Sequence, residues 1–241
     1  MSHWARPARA ASACSTSLLS GAYGGYGFGS IDSGKVNFVY FFNFDGAGNF
    51  EITEGDEMAN GKFEQNSNYG TYTALTLANG ECKISLQPSQ GGESAILASP
   101  AGSGSELFML PTTSNFNVSI VLTKQQITSC DDSVLSGQYG GYTFGQDGGY
   151  INNGVVYYKF DGVGDYQLTE NDFMSNGVFG SASNFGTYTT TLLSNGECRA
   201  KLVPSENSQA PIYAAPVDGG SEIYMLPTTS GLNFSQVLKK Q

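Results

Sequence analysis

Histidine is almost missing from this 241-residue chain: the single one, His3, falls in the first thirteen residues. A hydroxyl nucleophile served by an imidazole base is therefore excluded from everything after that segment. So is a metal centre built on imidazole. Cysteine offers no substitute, because the four present stand singly, without CxxC spacing or a partner base. Basic residues are scarce too, 11 Lys and Arg against 21 Asp and Glu, for a net charge of −10 and a pI near 4.4. Nucleic acids need clustered cations to neutralise phosphate, so they are excluded as partners, and anionic membrane surfaces are disfavoured. No apolar run approaches the ~20 residues of a membrane-spanning helix. No segment carries a sustained helical period with caps, which leaves β-structure.

What the chain has in quantity is glycine (32), tyrosine (14) and phenylalanine (15), and it has them twice over. Leu19-Ser20-Gly21-Ala22-Tyr23-Gly24-Gly25-Tyr26-Gly27-Phe28-Gly29 returns as Leu135-Ser136-Gly137-Gln138-Tyr139-Gly140-Gly141-Tyr142-Thr143-Phe144-Gly145, an offset of 116. The match runs without a gap from Cys14/Cys130 to Gln125/Gln241, with about half the positions identical. The organisation that follows is a tail at 1–13, one unit at 14–125, a linker at 126–129 and a second unit at 130–241. The tail ends in Ala11-Ser12-Ala13, like the edge of a secretory cleavage site without its apolar core.

Each unit reads as a run of short strands. Val36, Phe38, Tyr40, Phe42 and Phe44 alternate with Asn37, Val39, Phe41 and Asn43, a period of two with apolar residues on both faces, so both faces are expected to be covered. Asp45-Gly46 and Asp161-Gly162, Asn60-Gly61 and Asn176-Gly177, and Asn79-Gly80 and Asn195-Gly196 are turn signals between β-runs. Seven or eight strands joined by tight turns form a meander, and closing it removes the exposed edges. The expected fold is all-β: two tandem antiparallel meander barrels. Of the three pairings open to four cysteines, Cys14–Cys82 and Cys130–Cys198, each spanning 68 residues within one unit, is the most economical; free core thiols are the alternative. Disulfides would place the chain in an oxidising compartment, secreted or at a cell surface.

Chemistry is thin. Glu54 and Asp56, repeated as Glu170 and Asp172, have the i,i+2 spacing that puts both on one face of a strand. Paired carboxylates are the apparatus of glycoside hydrolysis, but nothing else marks a sugar cleft, and solvated or turn-capping acids are the simpler reading. Asp45 and Asn49, with Asp161 and Asp165, flank a glycine-rich loop that matches a calcium loop weakly. No cofactor is expected. Tyr23, Tyr26, Phe28, Tyr40, Phe42 and Tyr72, with Tyr139, Tyr142, Phe144, Tyr158 and Tyr188 in the second unit, are candidates to line a cavity in each barrel; filling the core is their other use. Asn117-Val118-Ser119 and Asn233-Phe234-Ser235 are sequons, meaningful in a glycosylating host.

Leu-Ser-Gly-x-Tyr, Phe-Asp-Gly-x-Gly, Gly-Thr-Tyr and Asn-Gly-Glu-Cys, present in both units, resemble the secreted bacterial calycin-like barrels of lipocalin or avidin style. That resemblance implies an extracellular module or a binder of small hydrophobic molecules. The Gly-x-Trp of the first lipocalin strand stands here as Gly21-Ala22-Tyr23, so no ligand residue carries over. The expected function is that of a secreted, non-enzymatic structural subunit of a surface, matrix or filament. It would self-associate or meet other extracellular proteins, with residues 1–13 as a candidate arm. The alternative is a binder of a small apolar or aromatic ligand, one site per barrel.

Overall fold

A computed structural model describes residues 14–32, 34–90, 93–206 and 209–241. The chain forms two closed barrels of eight antiparallel strands, each strand paired with its sequence neighbours and the last with the first. The first barrel comprises β1 (Ser20–Ile31), β2 (Gly34–Asp45), β3 (Asn49–Ala59), β4 (Lys62–Thr76), β5 (Cys82–Pro88), β6 (Ile96–Ala101), β7 (Glu106–Pro111) and β8 (Phe116–Lys124). The second comprises β9 (Ser136–Asp147), β10 (Tyr150–Asp161), β11 (Asp165–Ser175), β12 (Val178–Leu192), β13 (Cys198–Pro204), β14 (Ile212–Val217), β15 (Glu222–Pro227) and β16 (Leu232–Lys240). The candidate arm at 1–13 lies outside the described residues. Among the described residues no helix is long and apolar enough to cross a membrane.

The turn chemistry read from the sequence makes the hairpins. Asn60-Gly61 and Asn176-Gly177 carry positive φ at both positions, the backbone that a two-residue hairpin demands. At the β2–β3 turn, Asp45 Oδ1 accepts from the backbone N–H of residues 47, 48 and 49, and Asn49 Nδ2 donates to Oδ2. Asp161 repeats the three backbone bonds. These carboxylates close their own loops, and the backbone donors hold Asp45 down to about 2. The calcium reading is replaced by a hydrogen-bonded turn: backbone N–H groups occupy the oxygen that would face a cation.

One end of each barrel is closed by the segment that precedes its first strand. Cys14–Cys82 and Cys130–Cys198 pair as the repeat spacing indicates. Above each disulfide a buried tyrosine acts as a clasp: Tyr72 Oη donates to the carbonyls of Thr16 and Leu19, and Tyr188 Oη to those of Asp132 and Leu135. Tyr23 and Tyr139 do the same to Gly104 and Gly220. Burial pushes the hydroxyls of Tyr23 and Tyr188 up to about 12. In the first barrel Phe44 packs edge-on against both Tyr23 and Tyr72, at 5.2 and 5.3 Å between centroids. Replacing Tyr72→Phe keeps the ring but removes the donor to the buried Leu19 carbonyl, while the Thr16 carbonyl keeps its bond from Leu19 N–H, so we expect a loss of about 1–3 kcal/mol in urea unfolding of the oxidised protein. An unchanged midpoint would mean that the Leu19 carbonyl finds water.

Candidate functional site: an aromatic cavity and a seam between barrels

The strands alternate, and alternation decides which aromatics look inward. On β2, Val36, Phe38, Tyr40, Phe42 and Phe44 belong to the interior of the first barrel, whereas Val39 and Phe41 are buried outside it. On β1 the inward positions after Tyr23 are glycines. A Cβ at Gly27 would lie 3.1 Å from Ile120 and 3.2 Å from Phe38. Tyr26 and Phe28, one position out of phase, therefore point outward and meet Phe144 at 5.9 and 5.0 Å. The eleven aromatic candidates thus divide. Tyr23, Tyr72, Tyr139 and Tyr188 hold the closed ends, Tyr40, Phe42 and Tyr158 face barrel interiors, and Tyr26, Phe28, Tyr142 and Phe144 lie outside the barrels. The last four do not line a cavity, because the interleaved Gly25 and Gly27, and Gly141 and Thr143, occupy the inward parity.

Beyond the closed end, the first barrel holds a cavity of about 360 Å³. Phe38, Tyr40, Phe42, Ile52, Ile96 and Ile120 give it apolar walls, and Glu57, Asn66, Asn68 and Glu93 a polar rim. Asn68 Nδ2 donates to Glu93 Oε2 at 3.0 Å. Burial raises both carboxyls, with the Glu64 charge adding to the effect at Glu57, which reaches about 7. In the second barrel the same positions read differently: Gly154 stands for Phe38, Val156 for Tyr40, Phe173 for Glu57 and Gln236 for Ile120. Tyr158 Oη donates to Gln236 Oε1 there, and Phe173 lies over Gly180. The repeats agree at their closed ends and diverge at their mouths.

The second assembly of functional groups lies between the barrels. A bulge at Thr53-Glu54 shifts the register of β3 against both neighbours, so Thr53, Glu54, Asp56 and Met58 all face the second barrel. Arg199 Nη1 donates to both oxygens of Glu54, at 2.6 and 2.7 Å, and Thr53 Oγ1 donates to Glu197 Oε1 at 2.6 Å. Glu54 and Asp56 do share a face, as their spacing indicates, but that face is a joint and not a cleft. Asp56 accepts from Gln65 Nε2, its other oxygen is buried without a partner, and burial with the Glu54 charge raises its carboxyl.

Gln125 is the residue that sequence reasoning passed over. Its side chain donates to the carbonyls of Cys198 and Pro216 and accepts from Cys198 N–H, which stitches the linker into the second barrel. Its recurrence as Gln241 was the only available signal. Around it Val39, Phe41 and Met58 pack against Ala215, Val217, Tyr224, Leu226 and Val237. Phe63 stacks on Tyr213 at 5.3 Å, and Tyr26 packs on Tyr224 at 4.8 Å.

No protein-family model matches the chain, and no curated protein is significantly similar to it. The crystal structure of a protein from Nitrosomonas europaea described as AttH aligns over 98% of each chain at 7% identity. Its TM-score of 0.27 carries no argument about fold or function.

These carboxyls fix the direction of the acid response. Burial raises Asp56, Glu57, Glu93, Glu197 and Glu222 above their unfolded values, so the folded chain keeps protons that the unfolded chain releases. Stability therefore falls as pH rises from about 4 towards and beyond 7. Asp45, Asp131 and Asp161 are lowered, and their contribution disappears only below about pH 4. We expect the highest Tm in mildly acid buffer, near pH 5, and a shallower slope between pH 5 and 8 in Glu57→Gln. A Tm that climbs from pH 5 to 8 would contradict this assignment.

Proposed function

We propose that this chain is a secreted, non-enzymatic assembly module: a structural subunit of an extracellular surface, matrix or filament, built from two barrels. The observation that carries the reading is the apolar surface left uncovered on each barrel. Phe108 and Leu110 stand exposed on the first, and Val155, Tyr157 and Phe179 on the second. Contiguous exposed apolar surface of this kind marks a contact site. Two disulfides suit an oxidising compartment, and the seam makes one block of the two barrels. In the first barrel Glu54 pairs with Arg199 and Asp56 accepts from Gln65, so both carboxylates serve the joint. Sedimentation velocity of the oxidised full-length protein over a wide concentration range tests the proposal. Mass should rise with concentration, and a monomer at every concentration would overturn it.

The cavity of the first barrel favours a second reading, that of a calycin-type binder for a small apolar or aromatic molecule. A ligand bearing a cation or hydrogen-bond donor would suit Glu57 and Glu93 at the rim. A neutral solvatochromic dye should then bind one equivalent per chain, and Ile120→Trp, which fills the cavity, should abolish binding. Two equivalents, or binding unaffected by that substitution, would count against the site.

A further inference from the structure

The joint between the barrels uses unlike faces. The first barrel contributes the outer side of β1–β3, and the second contributes the outer side of β14–β16. Every barrel carries both faces, since the chain is a duplication. Within one molecule each barrel therefore spends one face and leaves most of the other uncovered; only the edge strands take part in the joint, through Phe144 on β9, which meets Tyr26 and Phe28, and Thr123 on β8, which is hydrogen-bonded to Tyr224. Burial records this position by position. Val39, Phe41 and Met58 are 0% exposed in the joint, while their counterparts Val155, Tyr157 and Met174 are 45%, 41% and 46% exposed. On the other side Tyr224 and Leu226 are 1% and 0% exposed, and their counterparts Phe108 and Leu110 are 49% and 53% exposed.

The two bare faces have the chemistry to repeat the joint. The pair Glu54–Arg199 becomes Glu170 and Lys83, opposite in charge again. Thr53–Glu197 becomes Thr169 and Glu81, and the pair Asn37–Ser235, in which Ser235 Oγ donates to the Asn37 side-chain oxygen across the joint, becomes Asn153 and Ser119. Gly24 lies so close to the second barrel that a Cβ there would come within 2.7 Å of Ala215 and 2.8 Å of Val217. Its counterpart Gly140 is again glycine, facing the small Ser99 and Ala101 in a repeated joint. The bulge that turns Glu54 outward recurs in β11 at Thr169-Glu170.

We propose that the bare β9–β11 face of one chain docks on the bare β6–β8 face of a second copy, repeating the internal joint head to tail. This rests on the assembly reading above and names its partner as the chain itself. A contact between unlike faces leaves one of each free after every addition, so growth is open-ended unless the rotation closes a ring. The centres of the two faces, β2 and β7, lie three strands apart around a ring of eight, so the row turns at each barrel and is not straight.

The test uses two full-length variants altered at exposed positions, which leaves both barrels and the internal joint intact. Leu110→Arg disables the first-barrel face, and Tyr157→Arg disables the second-barrel face. Sedimentation should show wild type growing with concentration and each variant alone staying monomeric. An equimolar mixture should stop at the 1:1 dimer, twice the monomer mass, because only one joint remains available. Variants that self-associate alone as wild type does would overturn the head-to-tail geometry and leave the assembly reading standing. Wild type that never exceeds the monomer mass would overturn both. Near-UV circular dichroism and intact disulfides confirm that each variant is folded.

Discussion

Burial of β2 on both faces is the constraint on which the molecule depends. Phe38, Tyr40, Phe42 and Phe44 fill one barrel from the inside, while Val39 and Phe41 lie against another barrel on the outside. A strand of a lone barrel would expose its outer row to water, and those two side chains would each forgo roughly 1.5–3 kcal/mol of transfer free energy. The second barrel is thus part of what stabilises the first. The bulge in β3, the glycine at position 24 and the reach of Gln125 all serve that contact. Each removes an obstacle to close approach or satisfies a polar group that close approach would strand.

Much of this was legible in the sequence, for identifiable reasons. Turn chemistry is local, so Asp-Gly and Asn-Gly placed the hairpins, and the ungapped repeat placed the barrels and paired the cysteines. Apolar residues on both faces of β2 signalled two-sided cover. What could not be read was parity. The run Tyr23-Gly24-Gly25-Tyr26-Gly27-Phe28 looks like a cavity wall until one knows that Gly25 and Gly27 take the inward positions. A bulge has no reliable signature either. The extra residue at Thr53-Glu54 breaks the period of two, which conceals that β3 and β4 continue as one long hairpin to Asn60-Gly61. The seam depends on which faces of two separate barrels meet, and no local pattern encodes that.

The two copies have diverged where their tasks differ. The closed ends keep their tyrosines, disulfides and turn aspartates nearly unchanged, because each barrel must be sealed in the same way. At the mouths the first copy keeps Phe38, Tyr40 and Glu57 around open space, while the second places Gly154, Val156 and Phe173 there. Along the seam, substitutions preserve character more than identity: Phe41 answers to Tyr157, Arg199 to Lys83 and Tyr224 to Phe108.

The short tie between Gln125 and Cys130 has a further consequence, for mass action. At Gln125 it is held by both barrels, its N–H donating to the Ala22 carbonyl and its carbonyl accepting from Gly219 N–H, and at Cys130 by the disulfide to Cys198, so the barrels never separate far. Tethering of this kind corresponds to an effective concentration on the order of millimolar. A contact too weak to hold free barrels together at dilution thus stays closed within the chain at any dilution. The internal joint is insensitive to how much protein is present, whereas identical surfaces on separate molecules respond to the amount released. Covalent linkage alone divides one type of contact into a permanent form and a concentration-dependent one.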